Sequence, residues 1–176
     1  MKLTAAVAQT ASVLLDTPAT VERTLALMAQ AAAQGAQLIV FPEAYLGGYP
    51  KGADFHIFIG ARTPQGRAEF KLYFEADGTR DGPEIALLAQ AAAQHRMFVV
   101  LGIIERDGGT LYCTVVYLGP EGQVLGKHRK LMPTALERLV WGFGDGSTLK
   151  AVDTPWGKLS AVICWENYMP ALRLAM

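Results

Sequence analysis

The sequence predicts a layered α/β domain with a mixed β-sheet, and three observations support this fold class. Apolar segments of strand length alternate with segments of helical periodicity in the first part of the chain. Hairpin patterns follow in the second part. Hydrophobic residues make up 51% of the 176 residues, which is enough for a sizeable core. Because crossovers make neighbouring strands parallel and hairpins make them antiparallel, the sheet should be mixed.

The first elements follow a strand, helix, strand order. Residues 3–8 form an apolar run that predicts a strand buried on both faces. Residues 17–18, Thr-Pro, supply an N-cap and a first-turn proline for a helix that Gly35 ends. Residues 37–41 predict the next strand. The glycine- and proline-rich segment that begins at Pro42 predicts a loop.

The second half repeats this order and then changes to hairpins. Residues 81–83, Asp-Gly-Pro, predict the start of an alanine-rich helix to His95, and residues 97–106 predict a strand. Residues 110–130 predict a hairpin that turns at Gly-Pro-Glu-Gly, and residues 150–165 predict another that turns at Pro-Trp-Gly. A short helix should begin near Pro170.

Composition excludes several classes of partner. The chain has 16 Lys plus Arg and 16 Asp plus Glu, without a long run of either sign, so nucleic acid and anionic membrane are excluded as partners. Two cysteines do not make a disulfide framework, which predicts a cytoplasmic protein. Polar residues interrupt the N-terminal apolar stretch, so it predicts neither a signal peptide nor a membrane span.

Cys164 is the first candidate for chemistry. It follows the apolar run LSAVI, and the ends of strands are where α/β proteins place their sites. Taken alone, a small buried apolar residue is the better interpretation. A nucleophilic thiol needs a nearby base or cation. The histidines at 56, 95 and 128 are not well placed by sequence for that role.

Glu43 and Lys130 are the other candidates. Glu43 ends the apolar run LIVFP, where a surface carboxylate is an equally good interpretation. Lys130 belongs to the cluster KHRK, which is typical of a solvated patch but leads directly into the end of a predicted strand. Since Glu43, Lys130 and Cys164 each follow an apolar strand, one edge of one sheet could present all three. Cys113, within an alternating strand, is interpreted as a core residue.

Three blocks in order make a family resemblance specific. FPEAYLGGYPKG, HRKLMPTALERLVWGFGDGS and ICWENYMP resemble the catalytic blocks of the nitrilase family. The resemblance implies an α-β-β-α sandwich of the carbon–nitrogen hydrolase type, in one domain over residues 1–176. It also implies that no metal or cofactor is needed. GFGDGS lacks the Lys-Ser/Thr ending of a phosphate loop, so we interpret it as a tight turn.

The resemblance also implies roles for individual residues. Glu43, Lys130 and Cys164 correspond to a Glu-Lys-Cys triad, and Glu137 to an accessory acid that holds the lysine and helps to position substrate or water. Tyr49 and Trp165 are the corresponding substrate-binding residues. The chain departs from the family at residue 135, where it has Ala and nitrilases commonly have His, which affects substrate fit more than chemistry.

The implied activity is hydrolysis of a small organic nitrile to the carboxylic acid and ammonia, through a covalent thioimidate and thioester. Amidases and carbamoylases of the same superfamily are the alternative, although Cys-Trp-Glu at 164–166 favours a nitrilase. A catalytically silent fragment that acts only in assembly is a third possibility. Residues 170–176 read as a helix without a C-cap, so we expect a domain truncated at its C-terminus. The resemblance implies a homo-oligomer for the complete protein.

Overall fold

The structure, a computed structural model, describes residues 2–76 and 82–176. The strands are β1 (Ala5–Val7), β2 (Leu38–Val40), β3 (Phe98–Asp107), β4 (Thr110–Leu118), β5 (Val124–Arg129), β6 (Val152–Thr154) and β7 (Gly157–Leu159). The α-helices are α1 (Thr17–Ala33), α2 (Pro64–Glu75), α3 (Pro83–His95) and α4 (Pro170–Ala175). Short 3₁₀ helices cover Ala135–Leu139, Gly146–Thr148 and Cys164–Tyr168.

The main sheet has the strand order β1-β2-β3-β4-β5. β1, β2 and β3 are parallel, whereas β4 is antiparallel to both β3 and β5. β2, β3 and β5 therefore run in the same direction and end at the same edge of the sheet. β6 and β7 form a separate antiparallel hairpin. The predicted mixed sheet and both predicted hairpins are confirmed.

The two faces of β3 pack against different layers. Val99, Leu101 and Ile103 face α1 and α3, whose buried apolar side chains complete one core cluster. Phe98, Val100 and Ile104 belong to a second cluster on the opposite face, with these partners: Phe55, Tyr73, Cys113, Val115, Trp141 and Ile163. This alternation is the period of two that a strand buried on both faces produces. The second cluster lies on the face that carries the candidate site.

The observed helix ends agree in part with those predicted from the sequence. Asp16, and not Thr17 as predicted, caps α1, because its side chain accepts a hydrogen bond from the Ala19 N–H at 2.9 Å. Thr17 instead occupies the first turn, beside the predicted proline. Gly35, with φ of 79°, follows the end of α1 as expected. The predicted start of α3 at Asp81 lies outside the described residues, and α3 begins at Pro83.

One helix, α2, was not predicted, and two strand predictions were partly wrong. We did not predict α2, which buries only Gly66 and Tyr73 and so carries a weak periodic signal. β1 is not buried on both faces, because it is the first strand of the main sheet and Val7 is 80% exposed. The last strand, β7, ends at Leu159, so residues 160–163 lead to Cys164 without strand pairing.

The helices in the described parts of the chain lack the features of membrane spans. None of the helices found there combines the length and the apolar character that crossing a bilayer requires.

Candidate active site

An ion pair joins Lys130 to two glutamates at the edge of the main sheet. Glu43 follows β2, and Lys130 follows β5, so the two parallel strands deliver them to the same edge. The Lys130 Nζ lies 2.7 Å from Glu43 Oε1 and 2.8 Å from Glu137 Oε2. The Lys130 side chain is only 1% exposed. A buried ammonium group requires such partners, because the loss of its hydration would otherwise cost on the order of several kcal/mol.

The carboxylates fix the charge of Lys130. Burial alone would lower the pKa of Lys130, but the hydrogen bonds to Glu137 and Glu43 outweigh it and raise the pKa above its ordinary value. Burial similarly would raise the pKa of Glu137, yet the hydrogen bonds from Lys130 and Thr134 lower it. Lys130 is therefore a permanent cation at neutral pH. It can stabilise negative charge but cannot act as a base.

Glu137 is oriented by two further donors. The Thr134 N–H donates to Glu137 Oε2 at 2.6 Å, and the Tyr49 hydroxyl donates to Oε1 at 2.8 Å. Burial and the contact with Glu137 raise the pKa of Tyr49 to about 12, so its hydroxyl remains a donor at neutral pH. The Tyr49 ring packs edge-on against Trp141. The structure thus places Tyr49 beside the carboxylate that holds Lys130.

Cys164 lines a small cavity beside these charges. The cavity measures about 160 Å³, and its lining includes Glu43, Cys113 and Cys164. Cys164 has a φ of 54°, in the left-handed region that costs a non-glycine residue roughly 1–2 kcal/mol. The unpaired residues 160–163 precede it, and a 3₁₀ helix begins with it. Such strain concentrates at functional sites, where the surrounding structure enforces it.

The resting thiol of Cys164 is held in its protonated form. Partial burial and the negative charge of Glu43 raise the pKa of Cys164, while Lys130 and the Trp165 backbone N–H act in the opposite direction. The site therefore does not hold a preformed thiolate. A nucleophilic role would need a base at the moment of attack, and Glu43 lines the same cavity.

The proposed single sheet edge is only partly correct. The main sheet presents Glu43 and Lys130, but Cys164 arrives on a segment that has left the β6-β7 hairpin. The Ala161 N–H in that segment donates to the Tyr117 hydroxyl of β4 at 2.8 Å. A side-chain contact, and not strand pairing, therefore holds the cysteine segment over the sheet. Hydrophobic periodicity could not distinguish these two cases.

Cys113 occupies the core, as predicted, and a carboxylate contacts it there. It is buried in β4, and its Sγ lies 3.5 Å from Glu43 Oε1. Burial and the charge of Glu43 raise the pKa of the Cys113 thiol well above its ordinary value. The sequence did not reveal this contact because the carboxylate comes from an adjacent loop, and not from the same strand.

Trp165 and Tyr49 differ in their position relative to the cavities. Trp165 is 60% exposed, packs on Tyr168 and is absent from the lining of the Cys164 cavity. Tyr49 and Glu137 line a second cavity of about 410 Å³. Its apolar walls come from the loop after β2 and from the 3₁₀ helix Ala135–Leu139.

Two glycines that sequence reasoning missed shape the site. A Cβ at Gly102 would lie 2.1 Å from the Pro42 carbonyl oxygen and 2.9 Å from the Glu43 Cα. A Cβ at Gly144 would lie 2.8 Å from the Lys130 carbonyl oxygen, to which the Gly144 N–H donates at 2.8 Å. Gly102 interrupts an otherwise apolar strand, and that interruption is a recognised signal of close backbone approach. Gly144 lies in residues 142–145, which do not form the predicted tight turn; a 3₁₀ helix at Gly146–Thr148 follows them instead.

The histidines are placed away from the Cys164 cavity. His56 lies in a loop near Glu69, and His95 ends α3. The KHRK cluster suggested a solvated patch, but His128 is not part of one. It is fully buried in β5 and contacts the equally buried Glu166. We missed Glu166, whose only sequence signal was a carboxylate two residues after the candidate nucleophile.

Comparison with known proteins identifies the family. Residues 4–176 match the family model described as carbon-nitrogen hydrolase. The chain belongs to the carbon–nitrogen hydrolase family. The family assignment made from the three sequence blocks is thereby confirmed.

Curated relatives of this carbon–nitrogen hydrolase chain include named nitrilases. An aliphatic nitrilase from Sinorhizobium fredii (strain HH103) is 59% identical over 175 residues, which cover 99% of this chain and 56% of the relative. A bifunctional nitrilase/nitrile hydratase from Lupinus angustifolius is 54% identical over 172 residues, which cover 98% and 49%. The chain therefore spans about half the length of the curated relatives it matches.

Solved structures confirm the fold of this carbon–nitrogen hydrolase chain. A carbon-nitrogen hydrolase from Helicobacter pylori G27 has a TM-score of 0.71 at 22% identity, over 99% of this chain and 56% of that one. An amidase from Nesterenkonia sp. has a TM-score of 0.70 at 20% identity, over 98% and 59%. At these identities the similarity shows the fold alone. The predicted α/β fold of the carbon–nitrogen hydrolase type is confirmed.

Proposed function

We propose that this chain carries the reacting groups of a nitrilase, which converts an organic nitrile to a carboxylic acid and ammonia. The observation that carries the proposal is the Lys130 cation held between two carboxylates, one of which shares a cavity with Cys164. The identity of 59% to an aliphatic nitrilase supports the choice of nitrile as substrate. In this proposal Cys164 is the nucleophile and Glu43 is the base.

The first half of the proposed reaction forms a covalent adduct. The Cys164 sulfur bonds to the nitrile carbon, and one electron pair of the carbon–nitrogen triple bond moves to nitrogen. Glu43 accepts the thiol proton and delivers it to that nitrogen, which gives a thioimidate. Because the resting thiol is protonated, the transfer of its proton to Glu43 accompanies attack. Lys130 stabilises the negative charge that develops on nitrogen.

The second half consumes two water molecules. The oxygen of the first water bonds to the thioimidate carbon, while Glu43 takes a proton from that water and passes it to the nitrogen. The hydroxyl of the tetrahedral adduct then gives its proton, through Glu43, to the same nitrogen; the carbon–nitrogen bond breaks, ammonia leaves and a thioester remains. A second water cleaves the thioester, releases the carboxylic acid and restores the Cys164 thiol. Lys130 again faces the developing negative charge, now on oxygen. Glu137 touches Lys130 and keeps it in place.

One observation favours a second product. If the tetrahedral adduct expels the Cys164 sulfur before ammonia, the product is the amide. A relative at 54% identity is named a bifunctional nitrilase/nitrile hydratase, which supports a mixture of acid and amide. Direct hydrolysis of amides, as in an amidase, is the remaining alternative, and the solved amidases share only the fold.

The test is product analysis with the natural chain at its full length. Ammonia, acid and amide would be measured with aliphatic and aromatic nitriles and with the matching amides as substrates. We expect acid and ammonia from nitriles, with slower or no release from amides. Faster release from amides would replace the nitrilase by an amidase. An absence of turnover on every substrate would favour a silent assembly partner.

The nucleophile can be tested in the same assay. We expect Cys164→Ala to abolish turnover, while Cys113→Ser stays largely active. Mass spectrometry of protein quenched during turnover should find the adduct on Cys164. An adduct on Cys113, or normal turnover by Cys164→Ala, would show that the nucleophile is wrongly assigned.

The compartment and assembly of the natural protein stay predictions. Its cysteine content favours the cytoplasm, and the family resemblance favours a homo-oligomer. Cell fractionation and sedimentation of the natural chain would measure each property directly.

A further inference from the structure

A buried carboxylate lies behind the candidate nucleophile, outside the triad. Glu166 is 1% exposed and His128 is 0% exposed. The His128 Nε2 lies 3.1 Å from Glu166 Oε1 and 3.0 Å from Oε2. Because an ionised carboxylate only accepts hydrogen bonds, the proton of this contact belongs to Nε2.

Each oxygen of Glu166 also accepts a backbone hydrogen bond. The Leu131 N–H donates to Oε1 at 2.8 Å, and the Ile163 N–H donates to Oε2 at 2.7 Å. Leu131 follows Lys130 directly, and Ile163 directly precedes Cys164. One carboxylate therefore ties the backbone beside the candidate cation to the backbone beside the candidate nucleophile. These two segments come from different sheets, so no strand pairing sets their separation.

These three hydrogen-bond donors favour the ionised form of Glu166. Burial alone would raise the pKa of Glu166, but the hydrogen bonds from His128, Leu131 and Ile163 outweigh it and lower the pKa below its ordinary value. At neutral pH the carboxylate thus offers acceptors to both backbone segments. The same contacts brace Cys164, whose left-handed backbone persists only if its surroundings enforce it.

We propose that Glu166, oriented by His128, is a positioning residue that sets where the Cys164 thiol lies relative to Glu43 and Lys130. This inference rests on the proposed function and deepens it, because it concerns the same site. Glu166 does not touch the substrate in this proposal. It acts through the backbone of Ile163 and Leu131. A small displacement of a reacting atom is enough to reduce turnover strongly.

The first test replaces Glu166 by Gln in the natural full-length chain. The amide has the same shape, but only one of its two polar ends can accept, so one backbone N–H loses its partner. We expect kcat to fall at least tenfold while KM changes less than threefold.

The matched control is Glu105→Gln. Glu105 is equally buried, but its partners are Thr114, Lys127 and Arg129 on the sheet. We expect that control to lower Tm and to keep kcat within threefold.

A second readout does not depend on nitrilase activity. Iodoacetamide modification of Cys164, followed by mass spectrometry across pH, reports the ionisation of that thiol. Its surroundings, namely partial burial, Glu43, Lys130, the Trp165 backbone N–H and Glu137, act on it according to its position. In Glu166→Gln the modification midpoint should move down towards that of a free cysteine, at about pH 8.5. A variant that only loses stability would melt earlier and keep the midpoint.

The third readout is rescue by a conservative change at the orienting residue. Gln at position 128 can place an N–H near the site of the His128 Nε2, whereas Leu cannot. We expect His128→Gln to keep most of kcat and the Cys164 midpoint, and His128→Leu to lose both. If Glu166→Gln does not fold, this pair decides the question.

The outcomes separate the positioning role from the nitrilase proposal. An unchanged kcat and midpoint in folded Glu166→Gln, or equal behaviour of His128→Gln and His128→Leu, would overturn the positioning role. A shifted Cys164 midpoint in a protein that hydrolyses no nitrile would support positioning and reject the nitrilase proposal.

Discussion

The Lys130 Nζ and the Glu43 Oε1 lie 2.7 Å apart, although 87 positions separate the two residues in the chain. Their contact explains why a lysine can be buried at the edge of the sheet and remain charged, since Glu137 supplies a second carboxylate. A fixed cation suits stabilisation of developing negative charge. In the proposed reaction the acid–base role therefore belongs to Glu43 and the electrostatic role to Lys130.

Replacement of Glu43 by Gln should reduce turnover roughly a hundredfold or more, because a positioned base contributes about 10² to 10⁴. The amide keeps the shape of the side chain and can still accept from Lys130. The melting temperature should therefore change less than the rate. The control is Glu121→Gln in the exposed β4-β5 turn. A Glu43→Gln protein with wild-type kcat would remove Glu43 from the mechanism.

Removal of the Glu43 charge and removal of the Lys130 charge should shift the pKa of Cys164 in opposite directions. Glu43 raises the pKa of Cys164 and Lys130 lowers it. Glu43→Gln should therefore move the iodoacetamide midpoint of Cys164 to lower pH, and Lys130→Met should move it to higher pH. Both variants should nevertheless turn over nitrile more slowly than the wild type. Shifts in the same direction would show that the thiol does not sense these two charges.

Gly102→Ala should damage both stability and activity. The new Cβ would overlap the Pro42 carbonyl at 2.1 Å, so the loop that carries Glu43 must move. Overpacking of this kind costs about 1–3 kcal/mol. The control is Gly109→Ala in the β3-β4 turn, where a Cβ would meet nothing within 4 Å. Chemical denaturation and kcat measure the two effects, and equal results for both variants would contradict the close packing of Gly102.

Glu105 should make the protein sensitive to acid. Burial raises the pKa of Glu105, but hydrogen bonds from Arg129, Lys127 and Thr114 outweigh it and lower the pKa from 4.5 to about 2. A depressed carboxyl pKa contributes stability that is present above pH 4.5 and is lost as the pH falls towards 2. Glu105→Gln should therefore reduce the free energy of unfolding at pH 6 and flatten its decline between pH 4.5 and 2. Urea denaturation at several pH values measures this, and an identical slope in both proteins would refute it.

The sequence determined the elements that local chemistry encodes. Apolar periodicity placed α1, α3 and β3, and the Gly-Pro-Glu-Gly turn placed the β4-β5 hairpin, because burial and turn geometry depend on residues close in sequence. The polar residues that end β2 and β5 could be identified as site candidates for the same reason. α2 escaped prediction because few of its residues are buried.

Only the tertiary structure decided which of these residues meet. Packing, and not periodicity, brought Glu166 to His128, placed Cys113 against Glu43 and carried Cys164 over the sheet from outside it. His128 lies 38 positions from Glu166 along the chain, and a linear pattern does not specify which residues at such a separation come into contact. The same holds for Gly102, whose lack of a side chain matters because the Pro42 carbonyl packs directly against it.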